Sequence, residues 1–443
     1  MKISTLCRAA AVAALTAAAG AGIAQAQVAT SWPGSPRVTE EDRQFKVNGR
    51  IQFDVYNIRA DFPGTSQDQN YSQADIRRLF LGVEGRFTEH WRYNIKAQFK
   101  TQPAPAAGAA PSVTVDDAFL EYNGGDWSIF AGQYNPTSPM EDRDSSLNTP
   151  FNERASFVNA FSFGKKVGLW GVYSGGNWSI AAGVNGAEIS AVDFPLGNEE
   201  FAQSARATWA PLYQKTPDGI KLLHLGLSLR HRDNGGANQG ANAVAGAANS
   251  TPFNYATRPD VGFGTAFVST GGFGSQDDFL GAEVAGQWNQ FGVDGEYGHL
   301  KVRPQTSAIT GTPNKGDRKY RGGYFNFYWS PTGEGRNYNA AEGSFGRVTP
   351  LRTLGSDNGI GYIQLAARYE YLDLSDEPAV NPARGGKQTG YVAQIAWEPI
   401  AYVKFQLDYA KNKITNYLGA PAVNGGQQRG EADVVVARMQ IDW

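Results

Sequence analysis

The sequence predicts an all-β fold: a transmembrane antiparallel β-barrel of 16 strands in up-and-down order. Three observations carry it: residue alternation of period two, connections that are short and long in turn, and a secretory leader with no apolar helix after it. The last strand is the clearest. In residues 434–443, Val435, Ala437, Met439, Ile441 and Trp443 share one face, and Val434, Val436, Arg438, Gln440 and Asp442 share the other. Successive strand side chains point to opposite faces, so one face is greasy and the other mostly wet. A tilted strand of about ten residues also spans a bilayer. Similar segments follow one another near 46–58, 76–87, 91–100, 115–122, 127–133, 167–174, 178–184 and 203–210. Eight more lie near 221–231, 279–288, 291–302, 320–330, 360–372, 388–397, 402–412 and 432–443.

The connections supply the topology. Tight turns fall at 88–90, 123–126, 175–177, 289–290 and 398–400, and every intervening connection is long. Two on the short side are longer, 211–219 and 331–359. Short periplasmic turns opposite long extracellular loops are the plan of an outer-membrane barrel, with both ends in the periplasm. A strand-like stretch near 261–269 would make the count odd, so it belongs to a long external loop over 233–278. The first half of that loop, rich in Asn, Gly and Ala, reads as flexible. Residues 27–44 read as a poorly ordered periplasmic extension before a barrel over 45–443.

The leader occupies residues 1–26. Lys2 and Arg8 precede an apolar run over 9–23, and Ala24-Gln25-Ala26 is a small-residue cleavage site. Cys7, the one cysteine, lies inside it, so neither a disulfide scaffold nor a thiolate metal site is available afterwards. Of 40 basic residues, removal of Lys2 and Arg8 leaves 38 against 42 acidic, net −4, which gives no footprint for nucleic acid. No cofactor motif is present. The expected surroundings are outer-membrane lipid, because no apolar run after Gln27 is long enough for a membrane helix.

If the apolar face meets lipid, the alternate face meets a water-filled lumen. That face carries Arg50, Arg78, Arg92, Lys96, Lys100, Arg206, Arg230, Arg368, Lys404 and Arg438. It also carries Asp54, Glu84, Asp117, Glu121, Glu283, Asp294, Glu296, Glu370, Asp408 and Asp442, so composition alone leaves the ion sign open. Arg92, Lys96 and Lys100 form a basic track, with Asn94 and Gln98 between them. The connection over 134–166 is too long to be idle. Folded inward as a constriction loop, it brings Arg143, Arg154, Lys165 and Lys166 beside Glu141, Asp142, Asp144 and Glu153. A barrel hydrolase would need a base beside a serine. His90, His224, His231 and His299 offer no such constellation, so the chain reads as a channel and not an enzyme.

Several segments resemble one family: "IRRLFLGVEGRF" (76–87), "DDAFLEY" with "FAGQYNPTSPMED" (116–142), "NERASFVNAF" (152–161), "NWSIAAGVNG" (177–186), "ARYEYLDLSD" (367–376) and "EPIAYVKFQLDY" (398–409). Together they resemble the phosphate-selective porin O and P family, in the right order over nearly the whole mature chain. The resemblance implies a homotrimer of 16-stranded barrels with an inward third loop and a lumenal arginine ladder. Phosphate, polyphosphate or other small inorganic anions would pass. Arg77 and Arg78 match the ladder's double arginine, and Trp443 is similar to the C-terminal signal read by the outer-membrane assembly machinery. One departure is Asp142, which stands where phosphate-binding members resemble each other in carrying lysine. A carboxylate there repels phosphate and keeps a general or cation-preferring porin open.

Leu223, Leu225, Leu227 and Leu229 make an outward apolar row that needs lipid or another subunit. The protein is therefore expected to run as an oligomer in detergent gels until boiled. A monodisperse monomer in plain buffer would contradict the membrane assignment.

Overall fold

The computed structural model describes residues 29–32, 34–63, 69–100, 112–189, 200–216, 219–234, 252–262, 264, 266–304, 316–356, 358–376, 385–415 and 429–443. The expected leader lies outside the described residues. Eight strands make the first half of the barrel: β1 (Arg43–Asp61), β2 (Gln69–Arg86), β3 (Trp91–Lys100), β4 (Ser112–Asn123), β5 (Trp127–Tyr134), β6 (Lys166–Ser174), β7 (Trp178–Asn185) and β8 (Glu200–Thr216). The second half is β9 (Gly219–Asn234), β10 (Gly274–Trp288), β11 (Phe291–Pro304), β12 (Arg318–Trp329), β13 (Tyr362–Asp373), β14 (Lys387–Ile400), β15 (Val403–Thr415) and β16 (Arg429–Asp442). Each pairs antiparallel with its neighbour in sequence, and β16 returns to β1, from Glu431 opposite Asp61 to Asp442 opposite Arg50. The sheet is closed, with sixteen strands where sixteen were expected.

Alternation sorts the two faces. Leu223, Leu225, Leu227 and Leu229 are exposed on the outside of β9, while Leu222, His224, Ser228 and Arg230 are buried inside. One connection departs from expectation. The stretch 211–219 is mostly strand, because a register shift between Trp209 and Leu212 absorbs Pro211 and pairing with β9 resumes to Thr216. Proline cannot donate to the ladder, and a bulge is where a sheet tolerates it.

The expected disordered extension is instead ordered over the described part. Ala29–Ser31 pairs with Arg37–Glu40, and the latter pairs with β1 from Arg37 opposite Lys46 to Glu40 opposite Arg43. Ser35 Oγ donates to Val47 O. Gly34, at φ 84°, sits so close to Trp443 Cα and Tyr402 that a Cβ would lie 2.9 Å from both. The C-terminus is held by the same patch: Trp443 N donates to Gly49 O at 3.1 Å, and Gly49 N donates to Trp443 O at 3.2 Å.

Three connections turn into the barrel. The stretch 135–165 carries two short helices, α1 (Met140–Arg143) and α2 (Ser156–Phe161). The stretch 252–273 carries the two-residue strands Ala256–Thr257 and Val268–Ser269, paired with each other. It is part of the loop between β9 and β10, as expected, and not a barrel strand. The flexible reading of its first half falls outside the described residues. From the short-turn end comes 330–361, with Tyr338–Asn339 paired to Ser344–Phe345.

These loops give the barrel an apolar core that alternation did not foresee. Phe151, Phe157, Phe161 and Phe267 pack on inward Ile58, Leu300, Leu372, Ile414, Val434 and Val436, all nearly inaccessible. The inner face expected to be mostly wet is greasy where these phenylalanines lie against it. Burial of apolar area is what ties these loops to the wall.

Gly49 offers a test of the seam. A Cβ there would lie 2.2 Å from Trp443 Cζ2. Gly49→Leu is expected to cost about 1–3 kcal/mol through overpacking, seen as a smaller heat-modifiable fraction after refolding.

Candidate functional site

Loop 135–165 is placed by carboxylates on both sides of its contact with the wall. The N-terminal amides of α1 are capped from outside: Met140 N donates to Glu283 Oε2 at 2.7 Å and Glu141 N to Glu296 Oε1 at 2.6 Å. Those amides have no partner within the helix, so wall acids complete it. Glu141 is salt-bridged to Arg368 of β13 and accepts from Ala155 N. Glu153 accepts from Arg77 Nε and Nη2 at 2.7 and 2.8 Å, lies 3.1 Å from Arg438 Nη2, and is 3.9 Å from Arg78 Nη2. Arg438 is also bidentate on Asp54.

A bulge lets two consecutive arginines reach that one carboxylate. Gln52 pairs with Arg78 but Phe53 with Ile76, which leaves Arg77 as the extra residue of β2. Without the bulge, residues 77 and 78 would point to opposite faces. Arg154 is turned inward on its own loop and donates to the carbonyls of Glu141, Asp142 and Asp144. Asp142 accepts from Ser162 Oγ and Phe163 N, so its carboxylate closes the loop on itself. That bonding qualifies the expectation of a bare repelling charge.

Between loop 135–165 and the wall of β1 to β5 lies a cavity of about 490 Å³, lined by Arg50, Arg78, Lys96, Asp116, Asp117, Asp142, Arg143, Asp144, Arg154, Lys165 and Glu188 among others. Arg50 stacks over Phe80 at 4.4 Å and donates to Ser146 Oγ, while Arg78 Nη1 donates to Gln52 Oε1 at 3.0 Å. A second cavity of about 210 Å³ lies toward the short turns, lined by Arg92, Glu121, Arg206 and Glu342. Tyr134 and Arg143 border both.

The other expected pore-lining residues are committed to structure. Arg230 is bonded to Asp277 and to the carbonyls of Phe161 and Ser162. Arg206 grips Glu283 at 2.7 Å together with the carbonyls of Glu342 and Gly343. Lys404 bonds Glu398 and Leu147 O. The basic track is met from the next strand: Arg92 lies 3.2 Å from Glu121, and Lys96 lies 2.9 Å from Asp117. Lys165 bridges Asp116 and Asp117, each at 2.7 Å. Lys166 begins β6 opposite Tyr134 and is not among the residues bordering either cavity. The side chain of Lys100 lies outside the described residues.

Residues of 330–361 complete the site and were missed. Arg336 Nη2 lies 3.1 Å from Asp144 and Nη1 3.0 Å from Asp294, with the guanidinium over Phe345. Phe345 N donates to Asp144 Oδ1 at 2.8 Å. His224 is buried between Tyr338 Oη, at 2.6 Å, and Glu283, at 3.2 Å. The signal available was the length and arginine content of this connection on the side of tight turns.

Comparisons with known proteins agree with this architecture. A family model described as phosphate-selective porin O and P matches residues 45–443. An uncharacterised protein of Caulobacter vibrioides is 30% identical over 438 residues, covering 95% of this chain and 78% of that protein. Porin O of Pseudomonas aeruginosa is 23% identical over 437 residues, covering 91% and 89%. Among solved structures, the anion-selective porin from Comamonas acidovorans superposes with a TM-score of 0.51 at 10% identity, covering 91% of this chain and all of the other. OmpT of Vibrio cholerae gives a TM-score of 0.51 at 9% identity, over 91% and 99%. At such identities the structures speak for the fold alone.

Two acids of the loop titrate in opposite directions. Burial works against ionisation of Glu153, but Arg77, Arg78 and Arg438 outweigh it and hold the carboxyl well below its usual range. Burial raises Asp144 to about 7 despite Arg336 and the Phe345 amide. The stabilisation from Glu153 is therefore present above the unfolded glutamate value and lost only as pH falls through its depressed one. Relative to the unfolded chain, Asp144 favours the fold at low pH and loses that contribution as pH rises through about 7. Glu153→Gln is expected to cost about 3–5 kcal/mol, since it leaves buried cations unmatched. Asp144→Asn is expected to cost on the order of 1 kcal/mol and to flatten the fall in stability between the ordinary aspartate value and pH of about 7. Thermal unfolding in detergent across the pH range measures both.

Proposed function

The chain belongs to the phosphate-selective porin O and P family of the outer membrane, and from that premise we propose that it passes small anions, phosphate-like oxyanions among them, by passive diffusion. The observation that carries the reading is the pair Arg50 and Arg78. Both border the 490 Å³ cavity and their hydrogen bonds go to neutral groups, a serine hydroxyl and a glutamine carbonyl, with Glu153, 3.9 Å from Arg78, as the one ion contact between them among the described residues. Around them the cavity has six basic side chains, Arg50, Arg78, Lys96, Arg143, Arg154 and Lys165. Its five carboxylates are Asp116, Asp117, Asp142, Asp144 and Glu188. Two of these are bound by Lys165 and one is folded back on Ser162 and Phe163. Ion choice follows local charge at the narrow section, so an overall net charge of −2 does not oppose it. Phosphate itself rests on family membership, and polyphosphate on the same ground.

A second copy suits the low side of the barrel. Strands β5, β6 and β7 have 8, 9 and 8 residues, short for a tilted span of a bilayer. Their outward Ile129, Leu169, Tyr173, Ile180 and Val184 are apolar. Packing this side against sister barrels in a homotrimer covers it. An enzyme reading finds little support, since His224 is engaged by tyrosine and glutamate and not by a serine.

Reversal potentials in a potassium chloride gradient decide the ion sign. The wild type is expected to favour chloride. Arg50→Gln with Arg78→Gln is expected to move the potential toward the cation side, whereas Lys404→Gln, away from both cavities, leaves it in place. A cation-selective wild type would instead support the acidic members of the lining, Asp116 and Asp117 foremost.

A further inference from the structure

Among the described residues, Arg143 is the basic side chain that borders both cavities. It sits at the end of α1, stacks over the Tyr134 ring at 5.1 Å and donates to Tyr134 Oη at 2.7 Å. Its Nη2 reaches another loop, lying 3.1 Å from Glu342 Oε2. Glu342 belongs to the connection that enters from the short-turn end, so the two loops, arriving from opposite ends, meet at this pair.

The two partners differ in commitment. The Arg143 side chain is 11% exposed and anchored at two points on Tyr134, while that of Glu342 is 50% exposed. A half-exposed carboxylate on an anchored guanidinium is the arrangement a soluble oxyanion would make. Two other carboxylates that reach the wall from a loop, Glu141 and Glu153, are buried and held by several donors.

We propose that Arg143 is an oxyanion site on the permeation path, filled in the resting protein by the chain's own Glu342, and that a carboxylate- or phosphate-type solute passes by taking Glu342's place. This rests on the anion-channel reading and adds where, along the path, the solute is exchanged. Tyr134 fixes the guanidinium, so the site persists when Glu342 leaves. Entry from the larger cavity brings the anion past Arg50 and Arg78 first, and release is into the smaller cavity beside Arg92 and Arg206. A tethered competitor raises the apparent dissociation constant by the reciprocal of the fraction of time it leaves the site free. For a pair as exposed as this one, the competing interaction is worth at most about 1 kcal/mol, about fivefold. That is weak enough for passing solute to displace it.

The test is block of chloride current by inorganic phosphate in planar bilayers, with succinate as a carboxylate probe in a parallel series. Glu342→Gln is expected to lower the half-blocking phosphate concentration by up to about fivefold, and Glu342→Asp to stay near the wild type. Arg143→Gln is expected to weaken block and to abolish the difference that Glu342→Gln makes. Phosphate block without succinate block would confine the site to phosphate-type ions. If Glu342→Gln and the wild type block alike, in barrels that still shift on heating, the exchange at Arg143 is wrong while the channel stands. If the wild type carries no current, the channel reading itself falls.

Discussion

The arrangement of the lumen depends on one buried carboxylate. Glu153 takes hydrogen bonds or close ion contacts from Arg77 and Arg78 of β2 and from Arg438 of β16, the last a strand of the seam where the barrel closes. Two charges removed from water repay their desolvation only when geometry is good and the remaining donors are satisfied. Here Arg438 is also bidentate on Asp54, and Arg368 caps the Glu153 carbonyl, so the donors around the acid are met. Replacing the whole set by apolar groups could yield equal stability. What the charges add is direction: an anionic loop tip has one place in the wall where three cations await it.

That placement divides the interior into a filled and an open half. Against the inner faces of β9 to β16 the loops pack phenylalanines on strand residues such as Leu300, Leu372 and Ile414. Packed interiors of this kind move little and transmit strain. Against β1 to β5 the loop leaves polar space. The loop thus has a solid side and a wet side, and Arg154, spent on its own carbonyls, stiffens the wet one.

Much of this was legible in the sequence, for physical reasons that differ by element. Strands were readable because period-two alternation is local: β3 ends where the pattern Trp91 to Lys100 ends. The lumen's charge balance was not, because it depends on cross-strand register. Arg92, Lys96 and Lys100 look like a bare basic track along one strand, yet Glu121 and Asp117 stand opposite the first two on β4. Arg77 was placed in the ladder by resemblance alone; alternation sends it outward, and only the bulge opposite Gln52 and Phe53 turns it in. Val434 and Val436 stand on the face that alternation makes mostly wet, yet they are core, because they join a cluster with Phe151 and Phe157 of a loop hundreds of residues away. The same distance hid Arg336, whose partners Asp144 and Asp294 come from a different loop and a different strand.

The seam between β1 and β16 bears on how such a barrel is made. Fifteen of the sixteen strand pairings join sequence neighbours and can form as the strands emerge, but the last, which sets Asp442 opposite Arg50, joins the two ends of the sheet. Until it forms, β1 and β16 each present an open row of amides and carbonyls, which invites pairing with the wrong chain. Pairings between distant parts of a chain are also the slow ones, since loop-closure entropy is met before any contact rewards it. The hairpin of Ala29–Ser31 and Arg37–Glu40 continues β1's pairing past the barrel rim, and Trp443 clasps Gly49 beside it. Together they act as a latch at one end of the seam, from which closure can run like a zipper toward the long loops.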